Sequence, residues 1–248
     1  MKSVKDTLLE RRSTRRYERQ NISQSNLNLI YAAIRNTPTS YNGQQFSVID
    51  ISDQETKIKL FELTNQKQIK TCNRFLLFCA DYNKITTIAK AKNIEMPQFS
   101  HTADGVMVGI IDASLAMMSA VVAAESCGLG TCCIGYARTA APKEIAKLLK
   151  LPQGVFAVCG LAIGVPRETN DLKPKQGKEL MIHSNHYRTD DMTQNLIDYD
   201  NRIIQYNTTR SGSTSDNDWA SHIINYYREA MNYEMLDALR SQGFNITK

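Results

Sequence analysis

The sequence predicts an α+β chain built in three layers, a β-sheet covered by helices on both faces. Three observations carry this. Strand and helix signals alternate along all 248 residues. Phe75–Ala80 (FLLFCA) and Val155–Ile163 (VFAVCGLAI) are unbroken apolar runs, the mark of strands buried on both sides. Several segments between them show the 3.6-residue apolar period of covering helices.

In chain order, Lys2–Arg12 reads as a helix with Val4, Leu8 and Leu9 inward. Ser23 suits the N-cap of a second helix, whose Leu27, Ile30, Tyr31 and Ile34 fall on one face before Pro38 stops it. Phe46–Ile51 alternates as a strand and Gln54–Leu63 reads as a helix. Val106–Ala124 is a long apolar helix ending at Gly128 and Gly130, and Thr131–Ile134 is a short strand. Pro142 opens a helix to Lys150. From Gly164 to about Thr189 the text is polar and irregular; a helix follows from about Met192 to Asn207. Trp219, Ile223, Tyr227, Met231, Met235 and Leu239 recur every four residues as a last helix, closed by Gly243. Between these two helices the Gly/Ser/Asp-rich stretch Arg210–Asp218 is the expected mobile lid.

With 42% hydrophobic and 22% charged residues, the composition is that of a folded soluble chain and excludes bulk disorder. A net charge of +5 suits anionic ligands but is small for a nucleic-acid binder. None of the six cysteines forms a CxxC pair, so buried reduced thiols are expected. That pattern, and an N-terminus without an apolar signal region, point to the cytoplasm. Val106–Ala124 approaches the length of a membrane span, yet Asp112 sits in its middle and basic flanks are lacking. A core or oligomer-interface helix is the better reading.

There is no P-loop, GxGxxG or GxSxG signature. His183 and His186 lack a third ligand for a metal. Three segments stand out. Arg11-Arg12-Ser13-Thr14-Arg15-Arg16 offers guanidinium and hydroxyl donors suited to a phosphate, or is a solvated basic helix end. Pro38–Phe46 is rich in hydroxyl and amide groups, able to line a polyol or ring edge, or simply a polar loop. Asp171-Leu-Lys-Pro-Lys175 sets two lysines around a proline, an anion clamp or an exposed basic loop.

Taken in order, these segments resemble the nitroreductase–flavin reductase family of FMN enzymes, and within it the oxygen-insensitive NADPH nitroreductase and NADPH–flavin oxidoreductase branch. The carrying stretches are RRSTRRY at 11–17, TPTSYNGQQFSVI at 37–49, FCAD at 78–81, AAESCGLGTCCIG at 123–135, LLKLP at 148–152, DLKPK at 171–175, YDNRIIQYNTTR at 199–210 and DWASHI at 218–223. The resemblance implies a mainly antiparallel sheet between helical layers, in a segment-swapped homodimer with FMN at its interface. It implies one domain over 1–248, with 190–248 a helical extension carrying a nicotinamide-coenzyme loop at 208–218.

By the same resemblance, Arg12, Ser13, Lys173 and Lys175 hold the FMN phosphate, with Arg11 standing where related sequences often have His. Arg15 lies near the flavin and the bound coenzyme. Thr39, Ser40 and Tyr41 meet the ribityl chain and ring, Tyr41 replacing a small hydroxyl residue. Gln66, or Gln68, serves the pyrimidine edge. Ile134 and Gly135 present backbone to the N5–O4 side, with Cys133 where a Tyr is frequent. Arg210 reaches the 2′-phosphate of NADPH. A second family arginine a few residues later is replaced here by Ser213-Thr-Ser-Asp216, which leaves NADPH against NADH open. The implied activity is ping-pong two-electron transfer from NAD(P)H through FMN to nitroaromatics, quinones or free flavin. No side-chain acid or base is evident. The alternatives are a low-turnover flavin carrier or redox sensor and, remotely, a nucleic-acid binder using Arg11–Arg16.

Overall fold

In the computed structural model, which describes residues 2–247, the two apolar runs form the middle of one four-stranded sheet. The strands are β1 (Phe46–Ile51), β2 (Arg74–Asp81), β3 (Gly130–Ile134) and β4 (Val155–Gly164), in the order β1-β2-β4-β3 and antiparallel throughout. Every β4 residue is buried, as a two-sided apolar strand requires. A bulge between Phe78 and Cys79 shifts the β2–β4 register.

Helices cover both faces. On one lie α2 (Gln24–Arg35), α6 (Ala103–Ser126) and α12 (Met235–Ser241), packing Ile30, Val121 and Ala238 against Phe78, Phe156 and Leu161. The other face packs Phe75, Leu77 and Ala162 against Leu60 of α3 (Gln54–Thr64), Ile69 of α4 (Lys67–Thr71) and Ile145 of α8 (Pro142–Leu148). Ser23 caps α2 by accepting the Asn26 N–H, and Asp53 caps α3 through Thr56. Gly128 leaves α6 at φ +78°, the left-handed region glycine favours. α1 (Val4–Glu10), α5 (Asn83–Ala91) and α7 (Tyr136–Thr139) complete the described α-helices of this unit, which also has short 3-10 turns at Ser40–Asn42 and Phe99–His101. The chain divides into two compact units, Met1–Thr169 with Glu234–Lys248, and Asn170–Tyr233. The second holds α9 (Lys178–Met181), α10 (Met192–Thr209) and α11 (Trp219–Ala230).

Two expectations change. On α1, Val4, Leu8 and Leu9 are exposed, and Thr7 is the buried residue. The four-residue period after Trp219 is not one helix: it breaks between α11 and α12, where Met231 is 84% exposed. The Asn232 and Tyr233 N–H groups bond back only three residues, to Glu229 and Ala230, and Glu234 leaves the helical region at ψ 52°. The break coincides with the boundary between the two units.

Candidate functional site

The arginine segment lies along the outer edge of the sheet. Ser13 pairs with Thr131 of β3 in a parallel bridge, and the Thr14 N–H donates to the Thr131 carbonyl at 2.8 Å. Gly130 permits this approach, since a Cβ there would stand 2.6 Å from Thr14 Oγ1. Tyr17, whose hydroxyl donates to the Thr14 carbonyl at 2.6 Å and shares that proton with the Ala162 carbonyl at 3.2 Å, pins the far end; burial pushes its pKa far above the ordinary value. The segment thus leaves the end of α1, where Arg11 is the C-cap, and continues as an ordered stretch along the sheet edge.

Its donors are poised for an anion. The buried Nε atoms of Arg11 and Arg12 have no hydrogen-bond partner. Arg11 Nε stands 4.0 Å from a Glu125 carboxylate oxygen, which also accepts from the Thr131 hydroxyl. Burial raises the Glu125 pKa, against the Thr131 hydrogen bond and the Arg11 charge. Buried cationic N–H donors without a hydrogen bond are costly unless an acceptor meets them. On that observation these residues fit a phosphate. At the end of β3, Cys133 is exposed and Ile134 buried, while a Cβ on Gly135 would meet nothing within 4 Å, so that backbone faces open space.

The polar loop before β1 is held by a residue whose role the sequence did not reveal. Asp112, fully buried in α6, accepts the Ser40 N–H at 2.9 Å and the Gln45 N–H at 3.3 Å. Between these anchors Tyr41, Asn42 and Gln44 all have positive φ (58°, 52°, 52°), a left-handed region that non-glycine residues enter at a cost. Thr39 Oγ1 accepts the Gln44 N–H at 3.2 Å, and the Tyr41 ring is exposed. The Asp112 carboxylate therefore fixes a strained loop presenting Thr39, Ser40 and Tyr41. The available signal was a single charge in an apolar helix.

Arg15 and Gln68 meet in one cavity of about 520 Å³, also walled by Tyr17 and Lys67. Gln66, the residue the resemblance puts first, does not line it; its Oε1 accepts the Gln68 amide at 2.9 Å. Glu168, likewise unforeseen, accepts the Arg15 and Arg16 N–H groups at 2.7 and 3.2 Å and fixes the backbone there.

Lys173, Lys175 and Arg210 belong to the 170–233 unit. Tyr206 and Tyr199 of α10 reach the Asp171 and Pro174 carbonyls with their hydroxyls at 3.4 and 3.5 Å, bracketing Lys173. Arg210 caps α10 and donates from Nε to the Ser213 carbonyl at 2.7 Å. The expected mobile loop is tied down: Asp171 accepts the Ser211 N–H and hydroxyl, and Asn207 both accepts the Ser215 N–H and donates to the Asn217 carbonyl. Among the described residues no His/Cys/Asp/Glu cluster suits a metal.

The antiparallel sheet between helical layers, with an arginine segment along its edge and a strained polar loop before β1, is an α+β fold of the nitroreductase type. The chain belongs to the nitroreductase family: residues 8–165 match the Nitroreductase family model and 173–247 its C-terminal domain. It is 34% identical over 250 residues to the FMN reductase [NAD(P)H] of Bacillus subtilis, covering all of both chains. It is 31% identical over 240 residues to the oxygen-insensitive NADPH nitroreductase of Salmonella typhimurium, covering 96% of this chain and 97% of that one. The solved structure of Bacillus megaterium NfrA2 overlays with a TM-score of 0.93 at 33% identity over the whole of both chains. The protein is an FMN-dependent NAD(P)H oxidoreductase, with FMN as cofactor and NAD(P)H as reductant.

Proposed function

We propose that Arg11, Arg12, Ser13, Lys173 and Lys175 hold the FMN phosphate, and that the molecule runs a ping-pong cycle in which the coenzyme and an electron acceptor use the same flavin in turn. The observation that carries the phosphate assignment is the pair of buried guanidinium Nε atoms without partners. When bound, FMN supplies two-electron chemistry, taking hydride at N5 and passing two electrons on. The chain orients and stabilises. The loop fixed by Asp112 offers Thr39, Ser40 and Tyr41 to the ribityl chain and ring. Arg15, with Gln68 backed by Gln66, brings positive charge and an amide to the pyrimidine edge, where negative charge on reduction needs stabilising. Cys133, Ile134 and Gly135 leave the N5 side open to the incoming molecule. No side chain is assigned as proton donor; water serves in that role.

Arg210 is the residue for the 2′-phosphate of NADPH, on the loop 208–218 of the C-terminal extension 190–248. The acceptor class is nitroaromatic, quinone or free flavin. We read the working form as a cytoplasmic homodimer, without a nucleic-acid or membrane partner. In support, α6 is long and apolar enough to cross a membrane, yet half of it is buried in the protein. Its exposed side carries Met107, Ile111, Leu115 and Met118 at helical spacing, a stripe suited to a second copy.

The test is the visible spectrum and its anaerobic bleaching. The wild type purifies yellow and is bleached by NADPH or NADH. Arg12→Ala and Lys173→Ala each lose a charge-assisted contact of about 1.5–3 kcal/mol, hence bind FMN about ten- to a hundredfold more weakly. Full FMN retention in both variants overturns the clamp. A yellow protein bleached by neither coenzyme speaks for a flavin carrier instead.

A further inference from the structure

The cavity that holds Arg15 and Gln68 has a lining the flavin assignment does not use. Arg16, Lys67 and Arg167 stand around it as well, and Tyr17 forms a wall. These residues come from three separated stretches of chain, so their convergence is a product of the fold. Among the described residues, Arg16 is the only one of the four cations with an ion pair, 3.7 Å from Glu168, and that carboxylate already accepts two backbone N–H groups. All four are exposed residues, and they border one concavity of about 520 Å³, within the size range of small-molecule sites. Like charges gathered around a hollow repel one another, and an anion in the hollow relieves this. The aliphatic stems of arginine and lysine with the Tyr17 ring provide apolar walls beneath the charged rim.

We propose that this cavity selects the electron acceptor by charge: Lys67 and Arg167, with Arg16, form a subsite for the carboxylate or comparable anionic group of a flat organic acceptor whose reacting end approaches the flavin from the N5 side. The inference rests on the flavin-reductase reading, which places Arg15 and Gln68 at the flavin edge and so the cavity beside it. Within the acceptor class, anionic members bind ahead of neutral ones of equal size. Lys67 and Arg167 are specificity residues in this scheme and take no part in electron transfer.

The experiment uses the purified protein with its flavin, oxidised and without nicotinamide coenzyme, so that nothing turns over. Calorimetric titration compares 4-nitrobenzoate with nitrobenzene. The expected result is binding of 4-nitrobenzoate about tenfold tighter or more, weakening as salt is raised, with nitrobenzene insensitive to salt. In Lys67→Gln/Arg167→Gln the preference falls about tenfold, and Arg167→Lys restores part of it. Steady-state kcat/KM for the two compounds shows the same ratio. Equal affinity for both in the wild type, or an unchanged ratio in the double variant, overturns the proposal. A yellow, NAD(P)H-bleachable protein without the preference refutes the subsite alone. A protein that purifies without flavin refutes the parent reading, and the titration then still reports whether the cavity takes the anion.

Discussion

Replacing Asp112 tests whether a buried carboxylate is there to hold the loop at 39–45. Two backbone N–H groups donate to it, from Ser40 and Gln45, and hydrogen bonds to a charged acceptor contribute about 1.5–3 kcal/mol each. Part of this is offset by the desolvation a buried charge always carries. The net loss expected for Asp112→Ala is about 2–4 kcal/mol, which in a chain of this size lowers Tm by about 5–15 °C. Asp112→Asn keeps one acceptor oxygen and turns an NH2 toward the other donor, so about half that loss is expected. Asp112→Leu is the sharpest variant. Were the carboxylate only a buried liability, an apolar residue of similar volume would be neutral or stabilising by about 1–4 kcal/mol. Because Tyr41, Asn42 and Gln44 hold positive φ between the two anchors, the loop is expected to relax once they go. Leu should therefore both destabilise and weaken FMN retention. Thermal melts followed at 222 nm, with flavin fluorescence on release, read both. An Asp112→Leu protein that melts at or above wild type and keeps its flavin refutes the reasoning.

Three further outcomes follow from the same site. Arg210→Ala raises the KM for NADPH about tenfold and that for NADH far less, measured in steady state; an equal effect on both removes Arg210 from 2′-phosphate recognition. Burial raises the Glu125 pKa above its ordinary 4.5, so its contribution to stability is full below that value and is lost as pH rises through the folded-state pKa. Glu125→Gln flattens that decline, read as urea midpoints from pH 4.5 upward, and an unchanged slope would show that Glu125 does not titrate this way. Burial pushes the Cys72, Cys79 and Cys159 thiols up to about 12; desolvation raises the Cys133 thiol as well, but Cys133 alone among the four is exposed. Thiol-reactive reagent at neutral pH then labels Cys133 first and these three only on unfolding, and added FMN slows Cys133; rapid native labelling of Cys72, Cys79 or Cys159 would contradict the packing.

The parts of the fold legible in the sequence are those whose signal is local. β2 and β4 announced themselves by composition, α2 by its cap and period, and the end of α6 by a glycine at the one turn that needs it. α4 and α7 were missed because so few residues show no period and a short helix has little stability of its own. The reading of one long helix after Trp219 failed because a four-residue period continues across a break set by where the chain passes from one unit to the other. Val4, Leu8 and Leu9 were read inward because apolar residues at helical spacing are ambiguous between a core and an interface with another molecule.

The site divides in the same way. Side chains proposed to meet a ligand directly, such as Arg12 or Lys173, lie in motifs whose residue types state their chemistry. Those that hold the motif in place bond to backbone N–H groups, which every residue but proline carries, and so leave no trace in the partner's sequence. Asp112 bonds to Ser40 and Gln45, and Glu168 to Arg15 and Arg16, across 67 to 153 residues of chain. Asp112 shows what the sequence does offer in such cases. An acid in the middle of an apolar helix is too costly to stand there without partners, so its presence alone says that donors face it. The same cost that weighs against a membrane span requires a polar segment to pack on α6 at that point. The candidates were the few polar loops next to apolar strands, and the densest of them, Pro38–Phe46, is the one the structure places there.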